Sequence, residues 1–429
     1  MINISRTSLN FEREPMAAPW GFKGGFLSEL WQSVALLESA GGRRGVGLGV
    51  QSVLWCDPRV FANTSEAGGN SLMLLMTDYA LRAACGTSFE TPIDLLDRLL
   101  PLTYEYGKKI SNLPDLRLTF ALNALVAVDN AAWLLYAAEN GITDFDRMIP
   151  ENVRPALSER HKEVVSVPAV GYGLALAEIV KLVDDGYFLL KIKIGSDPAK
   201  DGDLEKMLEW DKERLTAIHE AVKSKEAPGS PTGQVLYYLD ANGRYDGKER
   251  IIRLVDHLER IGALERTILL EEPFPETVKT EVRDIPIRVV ADESASTVEE
   301  TSERIDLGYG AIALKPIAKT MSMSLQIAKL CHERGVPAFC ADLTVNPVLV
   351  EWNKVMAARL APIPGINAGV QETNGFQNYR DWDRMQAYHP SPGAAWTAAR
   401  QGVFPLDKEF YSMSGGIFSV PAHYNSLVK

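Results

Sequence analysis

FLLKIKIG (188–195) and LYYLDANG (236–243) each carry charged side chains at the end of an apolar run, and TILLEEPFP (267–275), RVVADES (288–294) and AIALKP (311–316) repeat the pattern. Residues two apart on a strand share a face, so Lys191 and Lys193 point one way while Ile192 and Ile194 point the other. A lone K-x-K can simply guard an exposed strand edge. Here apolar residues flank it on both faces, which marks a buried strand whose inward lysines need carboxylate partners. Asp240, Glu271 and Asp292 each end an apolar run of their own and can supply them. In a parallel barrel such strand ends open into the mouth where chemistry is done.

From about Val164 onward, short β-rich runs alternate with amphipathic helical stretches. They read VVSVPAVGYG, YFLLKIKIG, VLYYLDA, TILLEEP, IRVVADES, GAIALKP, VPAFCADL and GINAGV, with a short helix expected between the fourth and fifth. Strands separated by helices indicate βαβ units with right-handed crossovers. Eight of them predict an α/β barrel of the (β/α)8 or (β/α)7β type. A doubly wound open sheet is the alternative, but it would not bring five strand ends to one focus. The stretch 196–234 is long for a crossover and predicts a helix over 205–223 followed by a polar surface loop.

The first 150 residues read as an α+β domain. The glycine-rich GGRRGVGLG (41–49) lacks the G-x-G-x-x-G spacing and precedes a β-rich run, so it predicts a turn between strands and not a phosphate loop. Helices are expected over 91–110, opened by Thr91-Pro92, and over 116–139, closed by Gly141. The second is apolar over much of its circumference, as a central packing helix would be. The expected division is 1–150, 151–400 for the barrel, and 401–429 as a C-terminal segment returning to the first domain.

Net charge is −11, which argues against nucleic acid or an anionic membrane surface as a partner. Cys56, Cys85, Cys331 and Cys340 show neither metal spacing nor a disulfide framework. No basic segment leads into an apolar core near the start, and no uninterrupted apolar run reaches the roughly 18 residues of a membrane span. A cytoplasmic, homo-oligomeric protein acting on a small molecule is expected.

Three carboxylates converging on one mouth repel one another unless a cation intervenes, and all-oxygen ligation suits Mg²⁺. Asn242, two residues past Asp240, can hold a ligand in place by a hydrogen bond. Lys315 lies across the mouth from Lys193. A lysine crowded by another cation and partly desolvated loses basicity, as a catalytic base requires.

In this order, K-x-K, D-x-N, E-x-P, D-E-S and a lysine ending the sixth strand, the chain resembles the enolase superfamily. The likeness is to its muconate-lactonizing-enzyme-like subgroup, within the mandelate racemase/muconate lactonizing enzyme family. AVDNAAW (127–133) is similar to the long helix of that family's capping domain, and 23 residues separate Asp292 from Lys315, much as in the family. The resemblance implies an N-terminal capping domain over the barrel. It also implies Mg²⁺ on Asp240, Glu271 and Asp292, with Glu272 and Glu293 beside them. Lys193 and Lys315 become the acid/base pair and Lys191 their support. Trp20–Gly25 and Gln51–Trp55 match the specificity loops, which makes Phe22 and Lys23 candidates to meet substrate. Departures are an insertion in the second crossover, CADLTVNP (340–347) in place of a Met-x-Glu-Ser/Thr run, and VQETNGFQN (370–378) in place of an aspartate pair. Trp133-Leu134 stands where W-D is common.

The expected activity is removal of the proton α to a carboxylate through an enediolate. A lysine on each face makes racemisation or epimerisation the simplest outcome. The alternatives are β-elimination by a dehydratase, with one lysine as base and the other, or a strand-seven residue such as Asp342, as acid, then cycloisomerisation, then a barrel that binds metal and ligand without turnover.

Overall fold

The computed structural model describes residues 1–429. The N-terminal part is a four-stranded antiparallel sheet, β1 (Ile2–Phe22), β2 (Gly25–Ser39), β3 (Arg44–Gln51) and β4 (Ser88–Phe89), in the order β3-β2-β1-β4. Helices Glu66–Ala84, Pro92–Ser111 and Leu118–Asn140 pack on it. Thr91 caps the second through a capping box with Asp94, and Gly141 ends the third at φ +61°. The third helix is long and apolar enough to cross a membrane, but it is buried in this core.

The glycine-rich stretch has two jobs. Residues 40–43 turn, as expected, but the remaining glycines lie within β3 itself. A Cβ on Gly47 would sit 2.1 Å from the Ala127 carbonyl oxygen, and one on Gly45 2.0 Å from that of Ala131. Their bare face lets helix Leu118–Asn140 lie directly on the strand.

The barrel strands are β5 (Glu163–Val167), β6 (Ala169–Val170), β7 (Leu189–Lys193), β8 (Leu236–Asp240), β9 (Thr267–Glu271), β10 (Arg288–Ala291), β11 (Ala311–Leu314), β12 (Ala338–Cys340) and β13 (Gly369–Glu372). Every pairing among them is parallel. β5 and β6 are one strand interrupted at Pro168, which has no amide hydrogen to donate. β5 pairs with β13 and β6 with β7, so the interrupted strand closes a ring of eight. A short antiparallel strand, β14 (Val403–Pro405), pairs with β5.

Helices follow each of the first three strands and each of the fifth, sixth and seventh. None lies between β9 and β10, where a short one was expected. Pro273, Pro275 and Pro286 break that connection into turns. The long second crossover holds helix Leu204–Val222 and then a loop.

The N-terminal sheet and its helices sit over the mouth through polar contacts. Asp129 accepts from the Ser322 amide at 3.0 Å and also from its hydroxyl, to which Trp133 Nε1 donates at 3.0 Å. Gln32 bridges Tyr379 (2.8 Å) and Asn346 (2.9 Å). Beyond β14 the chain returns to the same sheet: Asn10 donates to the Leu427 carbonyl and Arg44 to that of Val428, both at 2.9 Å.

Candidate active site

The strand register assembles the charged groups. Lys193 pairs in register with Asp240, and Asp240 with Glu271, so the three stand side by side on β7, β8 and β9. Asp292 follows β10 and Lys315 follows β11. In a closed ring of eight, the second and sixth strands are four apart in either direction, so Lys193 and Lys315 face each other across the mouth.

Each lysine holds acids. Lys191 Nζ lies 3.0 Å from Asp240 Oδ2, 3.1 Å from both Glu271 oxygens and 2.9 Å from Glu372 Oε2. Lys193 Nζ lies 2.5 Å from Asp240 Oδ2 and 3.0 Å from Asn242 Oδ1. Lys315 donates to Asp292 Oδ2, and Lys319 lies 3.1 Å from Asp292 Oδ1. All are buried.

This alternation of charge decides the titration. Burial alone would raise Asp240, but Lys191 and Lys193 outweigh it and lower the carboxyl to about 2. Asp292 behaves likewise, with Lys315 and Lys319 overriding burial and holding it well below the carboxylate range. Glu271 is pushed up to about 7 by burial against the pull of Lys191, and Glu272 to about 8 by burial and the neighbouring Glu293. Lys315 departs from the expected loss of basicity. Burial lowers its affinity for a proton, but Asp292 more than compensates and raises it above the ordinary lysine value. The nearest charge to Lys315 is an acid, not the second cation that the sequence reading placed against it.

The acids present oxygens suited to a hard cation. One oxygen each from Glu271, Asp292 and Glu293 lies within 4.8 Å of the others. Glu293 Oε2 is buried without a partner, whereas Asp292 Oδ1 meets only the Lys319 ammonium at 3.1 Å. An orphaned buried carboxylate oxygen is costly unless a cation meets it, so this all-oxygen donor set fits Mg²⁺. Glu293 Oε1 is already engaged by Lys23 Nζ (2.9 Å) and Asn242 Nδ2 (3.1 Å).

The capping part closes the mouth with a hairpin tip. Lys23 and Gly24 adopt φ of +51° and +76°, a two-residue turn joining β1 to β2. Phe22 lies under Lys193, with Nζ 5.5 Å from the ring centre, and Trp55 lies under Lys315 at 4.3 Å. Each acid/base candidate therefore meets one aromatic face. The cavity between them has a volume of about 30 Å³ and is bordered by Trp20, Phe22, Trp55, Lys191, Lys193 and Lys315, among others.

Asp342 borders the same cavity, but its oxygens serve the backbone. Oδ1 accepts from the Leu343 amide (2.8 Å) and the Val345 amide (3.3 Å), and Oδ2 from that of Asn374 (2.9 Å). It staples the loops after the seventh and eighth strands. Two charged residues of the site went unread in the sequence. Glu372 ends β13 by the same rule as the other acids, but the reading stopped that strand at Val370. Lys319 lies beyond the strand in KPIAK, where only its fourfold offset from Lys315 gave a signal; its ammonium also donates to the carbonyls of Asp292 (2.6 Å) and Ala295 (3.1 Å).

No family model matches the sequence, and no curated protein matches it. Solved structures do. The chain has the fold of solved mandelate racemase/muconate lactonizing enzyme proteins, a barrel with an N-terminal α+β part over its mouth. Similar structures include a dipeptide epimerase from Enterococcus faecalis complexed with Mg and L-Leu-L-Tyr, at 17% identity and TM-score 0.64 over 94% of this chain and 99% of that one. The L-Ala-D/L-Glu epimerase from Bacillus subtilis gives 17% and 0.60 over 86% and 89%. The N-succinyl Arg/Lys racemase from Bacillus cereus gives 14% and 0.62 over 88% and 89%.

Proposed function

We propose that this protein is a Mg²⁺-dependent racemase or epimerase that removes and returns the proton α to a substrate carboxylate. The observation that carries the reading is the placement of Lys193 and Lys315 on opposite strands of one barrel, bordering one cavity, with acids between them. A base must come within about 3 Å of the proton it takes, so a lysine on each side serves the two configurations separately.

Asp240, Glu271 and Asp292 would hold the metal. Asp240 and Glu271 share Lys191 and stand in register, but Asp240 is held on Oδ2 by Lys191 and Lys193 and on Oδ1 by the Asn242 amide. Glu293 keeps one oxygen free beside Glu271 and Asp292 and is the alternative third ligand. Bound there, a divalent cation would offset the acid that holds Lys315 protonated and stabilise the charge that develops on the substrate carboxylate. One lysine then takes the α-proton while the other, as an ammonium, delivers a proton to the opposite face. Lys191 fixes Asp240, Glu271 and Glu372 in place, and Phe22 and Trp55 keep water from both lysines.

For β-elimination the acid would be the second lysine or Asp342, and the Asp342 carboxylate is occupied by three backbone amides, which leaves the lysine. Incubating the Mg²⁺-loaded protein with a library of chiral carboxylates in D₂O tests the proposal. Deuterium should appear at the α-carbon together with loss of optical purity. Deuterium-labelled elimination products, or no exchange with any carboxylate, would overturn it.

A further inference from the structure

Every cation at the mouth is already engaged. Lys191 and Lys193 hold Asp240, Lys315 and Lys319 hold Asp292, and Lys23 turns away from the cavity to Glu293 and the Trp55 carbonyl (2.9 Å). Lys23, expected from the sequence to meet substrate, is not among the residues that border the cavity. The acids facing the other side are equally committed. Glu372 accepts from Lys191, from the Asp342 amide (2.9 Å) and from Asn374 Nδ2 (3.1 Å), and Asp342 accepts from three amides. What remains toward the cap is uncharged and mainly apolar: Trp20, Phe22, Leu27 and Trp55 with the Ser52 hydroxyl, and Leu343 and Thr344 from the loop after the seventh strand.

From this distribution we infer that the substrate is a monocarboxylate whose α-substituent ends in an uncharged, apolar group seated against Trp20, Phe22 and Leu27. The inference rests on the α-proton reading above and adds the substrate class. A second anion would meet the carboxylates of Asp342 and Glu372 with no free ammonium, and a cation seated against Trp20, Phe22 and Leu27 would have no carboxylate among those three residues. A charge buried without a partner is costly in either case. The apolar wall, by contrast, rewards aliphatic or aromatic surface.

Two matched series of carboxylates test it, each varying the side chain at a constant reacting centre. The first is N-acetyl-leucine, N-acetyl-phenylalanine, N-acetyl-glutamate and Nα-acetyl-lysine. The second is 2-hydroxyisocaproate, 3-phenyllactate and 2-hydroxyglutarate. Deuterium exchange is followed by NMR with Mg²⁺ present, and Mg²⁺ binding is confirmed separately by calorimetry. In whichever series exchanges, the apolar members should exceed the charged ones in kcat/KM by about 100-fold or more. A charged member that exchanges as fast as the apolar ones would overturn the inference while leaving the proton chemistry standing. Failure of both series with Mg²⁺ bound would overturn the inference and the reading beneath it together. Trp20→Arg places a cation on the half-buried edge of the apolar wall. It should shift the preference toward N-acetyl-glutamate over N-acetyl-leucine by about 10-fold or more, and an unchanged ratio would remove this wall from the substrate site.

Discussion

Lys193 and Asp240 are partners in register on adjacent strands, and the lysine Nζ stands 2.5 Å from Asp240 Oδ2. Lys315 makes the same kind of contact with Asp292 on the far side of the ring. The site therefore contains two lysine–aspartate pairs, each covered by one aromatic ring of the cap.

This symmetry should be visible stereochemically. In D₂O, Lys193→Ala should lower exchange from one stereoisomer by about 100-fold or more, the usual weight of a positioned base, and leave exchange from the other. Lys315→Ala should give the opposite result, and both variants should lose net racemisation. NMR of the separate enantiomers reads this directly. A single substitution that stops exchange from both stereoisomers would reject the two-base arrangement.

Mg²⁺ should stabilise the fold. At a hundred times its dissociation constant, a ligand that binds only the native state adds about 2.7 kcal/mol, seen as a rise in Tm that chelator reverses. Asp240→Asn and Asp292→Asn should abolish the rise, whereas Glu293→Gln should shift the titration by less than about 10-fold, because Glu293 serves Lys23 and Asn242. The reverse order would put Glu293 in the ligand set instead of Asp240.

Lys23 and Glu293 form a buried ion pair, with side chains 5% and 1% exposed. Removing one partner of such a pair leaves a buried charge alone and costs about 3 kcal/mol or more. Lys23→Met should therefore lower stability in denaturant by about that amount, and adding Glu293→Gln should restore most of it. Additive losses in the double variant would show that the two residues do not stabilise each other.

Asp129 ties the pH dependence of stability to the junction between cap and barrel. Burial, opposed by the Ser322 hydrogen bonds, pushes its carboxyl up to about 7, against about 3.9 in an unfolded chain. Between those values the folded chain keeps a proton that the unfolded chain has lost, so this group's contribution falls as pH rises from about 4 to 7 and is constant above. Asp129→Asn should flatten stability over that window by up to about 1.4 kcal/mol per pH unit. Denaturant melts at a series of pH values check it, and an unchanged slope would show that Asp129 is ionised throughout.

Gly47→Ala should destabilise by about 1–3 kcal/mol or more, because its Cβ would meet rigid helix backbone. Gly173→Ala, where nothing lies within 4 Å, should be nearly silent. Thermal melts of the two variants suffice, and equal melting temperatures would refute the close-approach account of β3.

The barrel was legible because its strands are short apolar runs, and a period of two sends alternate side chains to one face. The same rule placed Lys191, Lys193, Asp240, Glu271, Asp292 and Lys315 around one mouth. It failed for Glu372, since Ala-Gly interrupts the last run, and it said nothing of Lys319, which reaches the site from a loop. The direction in which Lys315 titrates depends on which charge lies nearest, and that is a distance, not a pattern. GGRRGVGLG announced a turn, but the helix lying on β3 belongs to residues some eighty positions later, and no local signal names it.

The polar contacts of the cap are drawn from across the whole chain. Gln32 needs Asn346 and Tyr379, Asp129 needs Ser322, and Asn10 and Arg44 need the carbonyls of Leu427 and Val428. On the ribosome, the strands that emerge first are therefore the last to be completed. The β1–β2 hairpin must remain without its outermost partners while nearly four hundred further residues are made.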